Sequence, residues 1–244
     1  MNSNNRRPLA IITGGTLGLG LTLGQFLAAR GFDLLITGRD LQRMEEAAQL
    51  IGALGGGLKA VAGDIADESH RQRVVEAVSV FGQLDLLVNN ASTLGPLPMP
   101  ELSEFDLEAM RHVFEVNTIA PLALLQGLRP YLAAAAGLVI NLSSDAALGG
   151  YAGWGGYGAS KAALDLVSKT LANELQDESI TVVSVDPGDM RTTMHQDAFP
   201  GEDISDRPLP EVTLPFWAWL LGQERSAING QRFEAQSELW QVPA

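Results

Sequence analysis

Cysteine is absent from all 244 residues. Disulfides, thiol nucleophiles and cysteine-ligated zinc are thereby excluded, no metal site is expected, and a reducing compartment, the cytoplasm, is favoured. Positive charge is scarce: 16 Lys and Arg against 29 Asp and Glu leave a formal net charge of −13. That balance opposes general affinity for nucleic acid or an anionic membrane, so any anionic ligand has to be held by local features. Long apolar runs are missing as well. The most apolar window, Ile119 to Ile140, carries Pro121, Gln126, Arg129 and Pro130, and reads as a buried helix followed by a core strand rather than a membrane span. The opening MNSNNRRP has two arginines, but Thr13, Gly14 and Gly15 interrupt the apolar run after them. It is not a signal peptide, and Met1 to Arg7 reads as a frayed polar tail.

What is present suits one α/β domain over 8–244, with 46% hydrophobic residues to fill its core. Short Val/Ile/Leu runs recur at Leu9–Thr13, Leu34–Thr37, Lys59–Ala62, Leu86–Val88, Leu138–Leu142 and Thr181–Val185. Between them lie helical patterns at Gly20–Arg30, Leu41–Leu54, Glu68–Phe81, Glu104–Leu132 and Ala159–Gln176, with Asp40 and Ser103 as capping residues. Continuous apolar strands alternating with helices predict a Rossmann-type doubly wound parallel sheet with helices on both faces. Ala133–Ala136 reads as a helix end. In such sheets ligands bind beyond the carboxyl ends of the strands. Here those ends carry TGG, GRD, GDI, NNAS, SSD and DPGDM.

TGGTLGLG, Thr13 to Gly20, follows the first strand and opens the first helix. Glycines let the backbone turn sharply and approach a pyrophosphate, whose charge is favoured by the free N–H groups of a helix start. The spacing of Gly14, Gly18 and Gly20 is TGxxxGxG, not GxGxxG. With this loop the chain resembles the short-chain dehydrogenase/reductase family, from about Leu9 to Gln236. The resemblance implies a dinucleotide held by Gly14, Thr16, Gly18, Leu19 and Gly20, by Asp64 and Ile65 after the third strand, and by Asn90 and Ala91 after the fourth. Ser92 stands where the family usually has glycine and is assigned no contact. Asp64 as a turn residue and Asn90 as a strand-end hydrogen bonder are compatible with these roles.

YGASK puts Tyr157 and Lys161 on one helix face. Ser144 lies 13 residues before Tyr157 and Asn117 lies 40 before it, the spacings of the family's Asn-Ser-Tyr-Lys tetrad. Hydride delivery to a carbonyl develops negative charge on oxygen, which needs a proton donor and a second hydrogen-bond donor. By resemblance these are Tyr157 and Ser144. A tyrosine pKa of ~10 would have to fall by about 3 units, ~4 kcal/mol, through the positive charge of Lys161 and a bound nicotinamide; in the family this lysine also binds the nicotinamide ribose. An α-helical carbonyl at 117 would look to the N–H of residue 121, and Pro121 has none. That leaves the Asn117 carbonyl free, where the family resemblance implies a relay water; more simply, Pro121 marks a kink. Ser143 is the rival serine, with spacing in favour of Ser144; Trp154 and Tyr151 are packing residues or pocket walls.

DPGDMRT after the sixth strand resembles the family's PG motif, implying that Pro187, Gly188, Met190 and Thr192 lie along the nicotinamide, with Asp186 replacing the frequent asparagine. Residues 192–210 read as a substrate lid, in which His195 and Phe199 either touch substrate or, for His195, face solvent. INGQRF resembles the strand that closes the family's sheet, but the acidic-glycine-glycine ending is replaced by AQSELWQVPA, which leaves Trp240 without an assignment. Arg39 occupies the place where members preferring NADP carry their arginine, while Asp40 reads as a helix cap. NADP(H) is therefore expected in preference to NAD(H). A homotetramer or dimer is expected through Leu122–Leu132 and Ala162–Leu175. A serine hydrolase is a remote reading, since NLSSDA lacks the nucleophile elbow and the chain has only three histidines; a non-catalytic cofactor sensor and a reductase of 3-oxoacyl groups on acyl carrier protein are the nearer rivals. Asp197, Glu202, Asp203 and Asp206 outnumber Arg191 and Arg207 around the lid, and an acidic carrier would want the reverse. A free small-molecule ketone or aldehyde comes first.

Overall fold

A computed structural model describes residues 6–242. Of the expected tail, residues 1–5 lie outside the described residues. Arg6 and Arg7 are tied to the body instead of frayed: Arg6 donates to Asp85 at 2.8 Å, and Arg7 donates to the Gly31 carbonyl at 2.9 Å.

Seven strands, β1 (Leu9–Ile12), β2 (Asp33–Gly38), β3 (Leu58–Ala62), β4 (Leu86–Asn89), β5 (Leu138–Leu142), β6 (Thr181–Asp186) and β7 (Arg232–Glu234), form one sheet in the order β3-β2-β1-β4-β5-β6-β7. Every pairing is parallel. Side chains alternate across such a sheet, and β1 shows what this requires. Ala10 and Ile12 join the core beneath α1 (Gly18–Ala29), α2 (Leu41–Gly52) and α8 (Leu214–Leu221). Leu9 and Ile11 join the core beneath α3 (Glu68–Ser79), α5 (Ala120–Ala135) and the end of α6 (Gly155–Glu174). Both faces are covered, which is why the central strands are apolar throughout. Edge strand β3 is half exposed and carries Lys59 outward, a charge that discourages edge pairing.

The long helix expected at Glu104–Leu132 is divided. α4 (Leu107–Phe114) runs into a π-helical turn over Glu115–Ile119, and α5 follows. Ser103 is not its cap. Asp106 is, accepting from the Ala109 N–H at 2.8 Å, because α4 starts after the short turn Leu102–Glu104 rather than within it. Asp40 caps α2 as expected, accepting from the Arg43 N–H at 3.1 Å. α6 begins at Gly155, four residues before the apolar pattern suggests, since glycines at 155, 156 and 158 carry no periodicity. α5 stops as expected in the alanine run, with Ala136 in the left-handed conformation at φ 48°. The region from Thr193 contains a six-residue helix, α7 (Thr193–Ala198), capped by the Thr192 hydroxyl; its polar sequence gives no helical period.

β7 closes the sheet against β6. The tail after it does not leave the body, because Trp240 packs its ring 5.6 Å from Phe216 and 6.0 Å from Trp219. Among the described residues no helix is long and apolar enough to cross a membrane. Phe216 is fully buried at the centre of this aromatic group, so Phe216→Ala is expected to cost about 3–5 kcal/mol in urea unfolding, while Leu239→Ala, at a position 76% exposed, changes stability by less than about 0.5 kcal/mol.

Candidate active site

The carboxyl ends of β1 to β6 open into a cleft of about 560 Å³, at the point where the chain winds from β1 to β2 on one side and from β4 to β5 on the other. The glycine loop lies at its floor. Gly14 and Gly18 have φ of 64° and 49°, conformations that L side chains resist. Gly20 does not line the cleft; a Cβ there would stand 2.3 Å from the Gly14 carbonyl oxygen, so its part is close packing of helix on loop. At the start of α1, Leu17 supplies no side-chain cap, leaving the first N–H groups of the helix without the partner that a Ser or Asp would give.

Gly14, Thr16, Gly18 and Leu19 line this cleft together with Arg39, Asp64, Ile65, Asn90 and Ala91. Its far end is formed by Tyr157, Lys161, Pro187, Met190 and Thr192. Asn90 also does the plain structural task, donating through Nδ2 to the carbonyls of Thr13 at 2.8 Å and Gly14 at 3.0 Å. Arg39 is largely exposed and sits 3.7 Å from Asp64. Arg43, on the first turn of α2, is a second cation on this wall that the motifs did not single out.

A smaller cavity of about 120 Å³ adjoins the far end, and Gly188 and Ser144 open onto it rather than onto the cleft. Tyr157 belongs to the walls of both. Trp154 stacks edge-on to Tyr157 with ring centroids 5.8 Å apart, and Phe199 reaches Trp154 at 5.9 Å. His195 is not exposed as the solvent-facing alternative had it: its side chain is 10% accessible, 3.7 Å from Asp189 and 4.9 Å, ring to ring, from Phe199. The helix α7 turns it inward.

The two serines separate cleanly. Ser143 is buried and donates its hydroxyl to Asp165 at 2.7 Å. Ser144 donates to Asp145 at 3.0 Å and accepts from the Ala146 N–H at 3.1 Å, at the mouth of the small cavity.

Asn117 lines neither cavity. Its Nδ2 donates to the Thr93 carbonyl and to Ser160 Oγ, both at 2.9 Å, and its Oδ1 accepts from the Thr93 N–H and from Ser92 Oγ. Ser160 in turn donates to the Tyr157 carbonyl at 2.6 Å. Asn117 therefore clamps the loop after β4 to α6 at the level of Tyr157. The α-helical register assumed for its carbonyl is replaced by a five-residue one, with the Ala120 N–H bonded to the Glu115 carbonyl. Pro121 accounts for the irregularity, because it has no N–H with which to continue the α pattern.

Lys161 is 2% exposed and donates through Nζ to the Leu142 carbonyl at the end of β5, at 2.7 Å. Burial lowers its pKa from 10.5 to about 8, with Asp165 and Asp186 opposing the fall. In the chain alone Tyr157 does not reach the near-neutral pKa expected with Lys161 and a bound nicotinamide together. Its burial pushes the phenol well above the ordinary value, outweighing the hydroxyls of Ser144 and Ser92, while Asp186 and Asp145 push further upward. In the protein alone the phenol therefore keeps its proton.

A sequence model described as short chain dehydrogenase matches residues 8–203. The chain is 30% identical over 240 residues, 96% of itself and 95% of the relative, to cyclohexanol dehydrogenase of Acinetobacter sp. strain SE19. A solved structure of a short chain dehydrogenase from Pseudomonas syringae superposes with a TM-score of 0.88 at 30% identity, covering 94% of each chain. Another, from Shigella flexneri and complexed with NADP, gives a TM-score of 0.87 at 28% identity over 94% of this chain and 97% of that one. This chain belongs to the short-chain dehydrogenase family of oxidoreductases, whose members act on small alcohols and carbonyl compounds.

The Lys161 charge has a measurable consequence for stability. Between about 8 and 10.5 the unfolded chain holds a proton that the folded protein has released, so stability rises with pH through this window. Relative to Lys161→Met, the wild type should gain up to ~3 kcal/mol between pH 7.5 and pH 10. Urea unfolding of both proteins across this range checks it, and a constant difference between them contradicts it.

Proposed function

We propose that this chain transfers a hydride reversibly between NADP(H) and the carbonyl or alcohol carbon of a free, uncharged small molecule. The observation that carries the reading is the position of Tyr157 on the wall shared by the long cleft and the small cavity, where one phenol can serve a cofactor on one side and a substrate on the other. The cleft fits a dinucleotide phosphate: glycines at its floor, uncapped N–H groups at the start of α1 for the diphosphate, and Arg39 with Arg43 at the adenosine end for a 2′-phosphate. Gly14, Thr16, Gly18, Leu19, Asp64, Ile65, Asn90 and Ala91 would hold the nucleotide half; Pro187, Met190, Thr192 and Lys161 would hold the nicotinamide half. When bound, the reduced nicotinamide supplies the hydride.

The chain's own groups manage the charge that results. Tyr157, kept protonated by its burial, is poised to donate as negative charge develops on the carbonyl oxygen. Ser144 turns its hydroxyl from Asp145 to that oxygen, and Lys161 holds the phenolate after the proton has left. Residues 192–210, with α7 and Phe199, act as the lid over the small cavity. Leu94, Trp154, Met194 and Ala198 give that cavity an apolar wall, and Asp145 and Asp189 give it an acidic one. Arg207 is engaged with Asp189 and Asp206. Uncharged substrates suit this lining, and the phosphorylated arm of an acyl carrier protein does not. A non-catalytic sensor would gain nothing from burying Lys161 beside Tyr157. The reading extends to a homo-oligomer, dimer or tetramer, through α5 and α6, where Leu166 on α6 and Ile119, just before α5, remain exposed in the single chain.

NADPH oxidation with a panel of uncharged ketones and aldehydes tests the proposal directly. Tyr157→Phe should lower kcat/KM by about 10²–10⁴-fold with NADPH binding nearly intact by fluorescence titration; activity within a few-fold of wild type would remove Tyr157 from the mechanism. The wild type should bind NADPH at least about tenfold more tightly than NADH. Arg39→Ala should erase most of that ratio, and equal affinities in the wild type would sink the cofactor assignment.

A further inference from the structure

Behind the proposed reacting groups the structure buries more charge than hydride transfer requires. Asp186 ends β6 with 9% of its side chain accessible, Asp165 lies one helical turn after Lys161 with 17%, and Arg232 reaches back from β7 with 21%. Arg232 Nη2 donates to Asp186 Oδ2 at 3.1 Å and to the Ser144 carbonyl at 3.0 Å, while its Nε donates to Asp165 Oδ2 at 3.2 Å. Asp165 Oδ2 also receives the Ser143 hydroxyl at 2.7 Å, and Asp186 Oδ1 receives the Gly188 N–H at 2.9 Å. One guanidinium thus connects the ends of β5 and β6, the middle of α6 and the strand β7.

We propose that Arg232 is a positioning residue, which through Asp186, Asp165 and the Ser144 carbonyl sets the placement of Ser144 and of the Pro187–Gly188 turn and balances the charge around Lys161. This rests on the reaction proposed above. The charge count explains why the residue is needed. Two carboxylates, Asp165 from α6 and Asp186 from β6, act on the Lys161 ammonium, which lies 5.6 Å from the centroid of the Tyr157 ring, and Asp145 acts on that phenol. Without Arg232 the group would hold more buried negative than positive charge, which is costly where water cannot reach. Asp165 Oδ1 has no hydrogen-bond partner, so its charge is only partly met even now. Arg232 bonds the Asp186 carboxylate directly, at 3.1 Å, so Asp186 and Arg232 are read as one unit.

Removing a cation raises the pKa of nearby acids, and removing an anion lowers it. In the holoenzyme, with NADPH and a ketone turned over by the wild type, Arg232→Met should cut kcat by about ten- to a hundredfold. The alkaline limb of its kcat/KM profile should move up by about 0.5–1 pH unit. Asp186→Asn should move that limb down, and the double variant Asp186→Asn/Arg232→Met should return it towards the wild-type position with a higher kcat than Arg232→Met alone. Arg232→Lys, which keeps the charge and loses the fork, should preserve the limb while recovering only part of kcat. Should Arg232→Met fail to fold, the opposite shift in Asp186→Asn and the preserved limb in Arg232→Lys still decide the matter. An unmoved limb in all of the folded variants, with only the melting temperature lowered, would reduce Arg232 to a structural brace and overturn the proposal. Absence of NADPH oxidation by the wild type with every carbonyl compound would instead refute the proposed reaction.

Discussion

Lys161 has to remain an ammonium at a site 2% open to solvent, and much of the surrounding architecture follows from meeting that demand. A buried cation needs oxygen atoms close by, and among the described residues the direct bond it makes is to the Leu142 carbonyl. That carbonyl is available because β5 ends there and the chain turns into Ser143 and Ser144. The end of a parallel strand is where a sheet exposes backbone groups it no longer pairs, which is why the C-terminal edge of this fold can hold charge that its centre could not. The carboxylates of Asp165 and Asp186 add the field that keeps the ammonium from losing its proton altogether.

The same demand sets the length and placement of α6. Tyr157 and Lys161 must share a face, so the helix has to be regular between them, and it starts at Gly155, two residues before Tyr157. Gly158 allows its first turn to lie against the Ala146 backbone, since a Cβ there would meet the Ala146 carbonyl oxygen at 2.4 Å. The Asn117 clamp holds the other side through Ser160. A π-helical turn is a natural device for this, because the extra residue in the turn directs an amide inward that a plain α-helix would carry past its target.

Where sequence and structure part company, the cause is consistent. Strands, the glycine loop and the shared helix face of Tyr157 and Lys161 were legible because each is local: apolar runs, closely spaced glycines and two residues four positions apart on one helix. The π-helical turn was half legible, since Pro121 announced an irregularity without saying which register would result. Arg232 and Asp165 were not legible at all. They lie 67 residues apart, the INGQRF segment that contains Arg232 marked a closing strand without pointing to a partner for its arginine, and only the closure of the sheet by β7 brings the two together. Asp186 was visible as a departure from a pattern, yet nothing in the sequence joined it to a partner 46 residues further on. The raised pKa of Tyr157 in the chain alone was not legible either, because the desolvation of the phenol and the aspartates around it depend on the folded packing.

The raised pKa of Tyr157 bears on how the site would run in each direction. A phenol held above its ordinary pKa is in the right state to give a proton to a reduced carbonyl, and in the wrong state to take one from an alcohol. Oxidation would require the phenolate to be stabilised by positive charge beyond what the chain itself supplies. Asp145 and Asp186 make that harder, since a carboxylate near the phenol favours its neutral form. In the proposed reaction the positive ring of an oxidised cofactor is the charge that would redress the balance when the phenol has to take a proton.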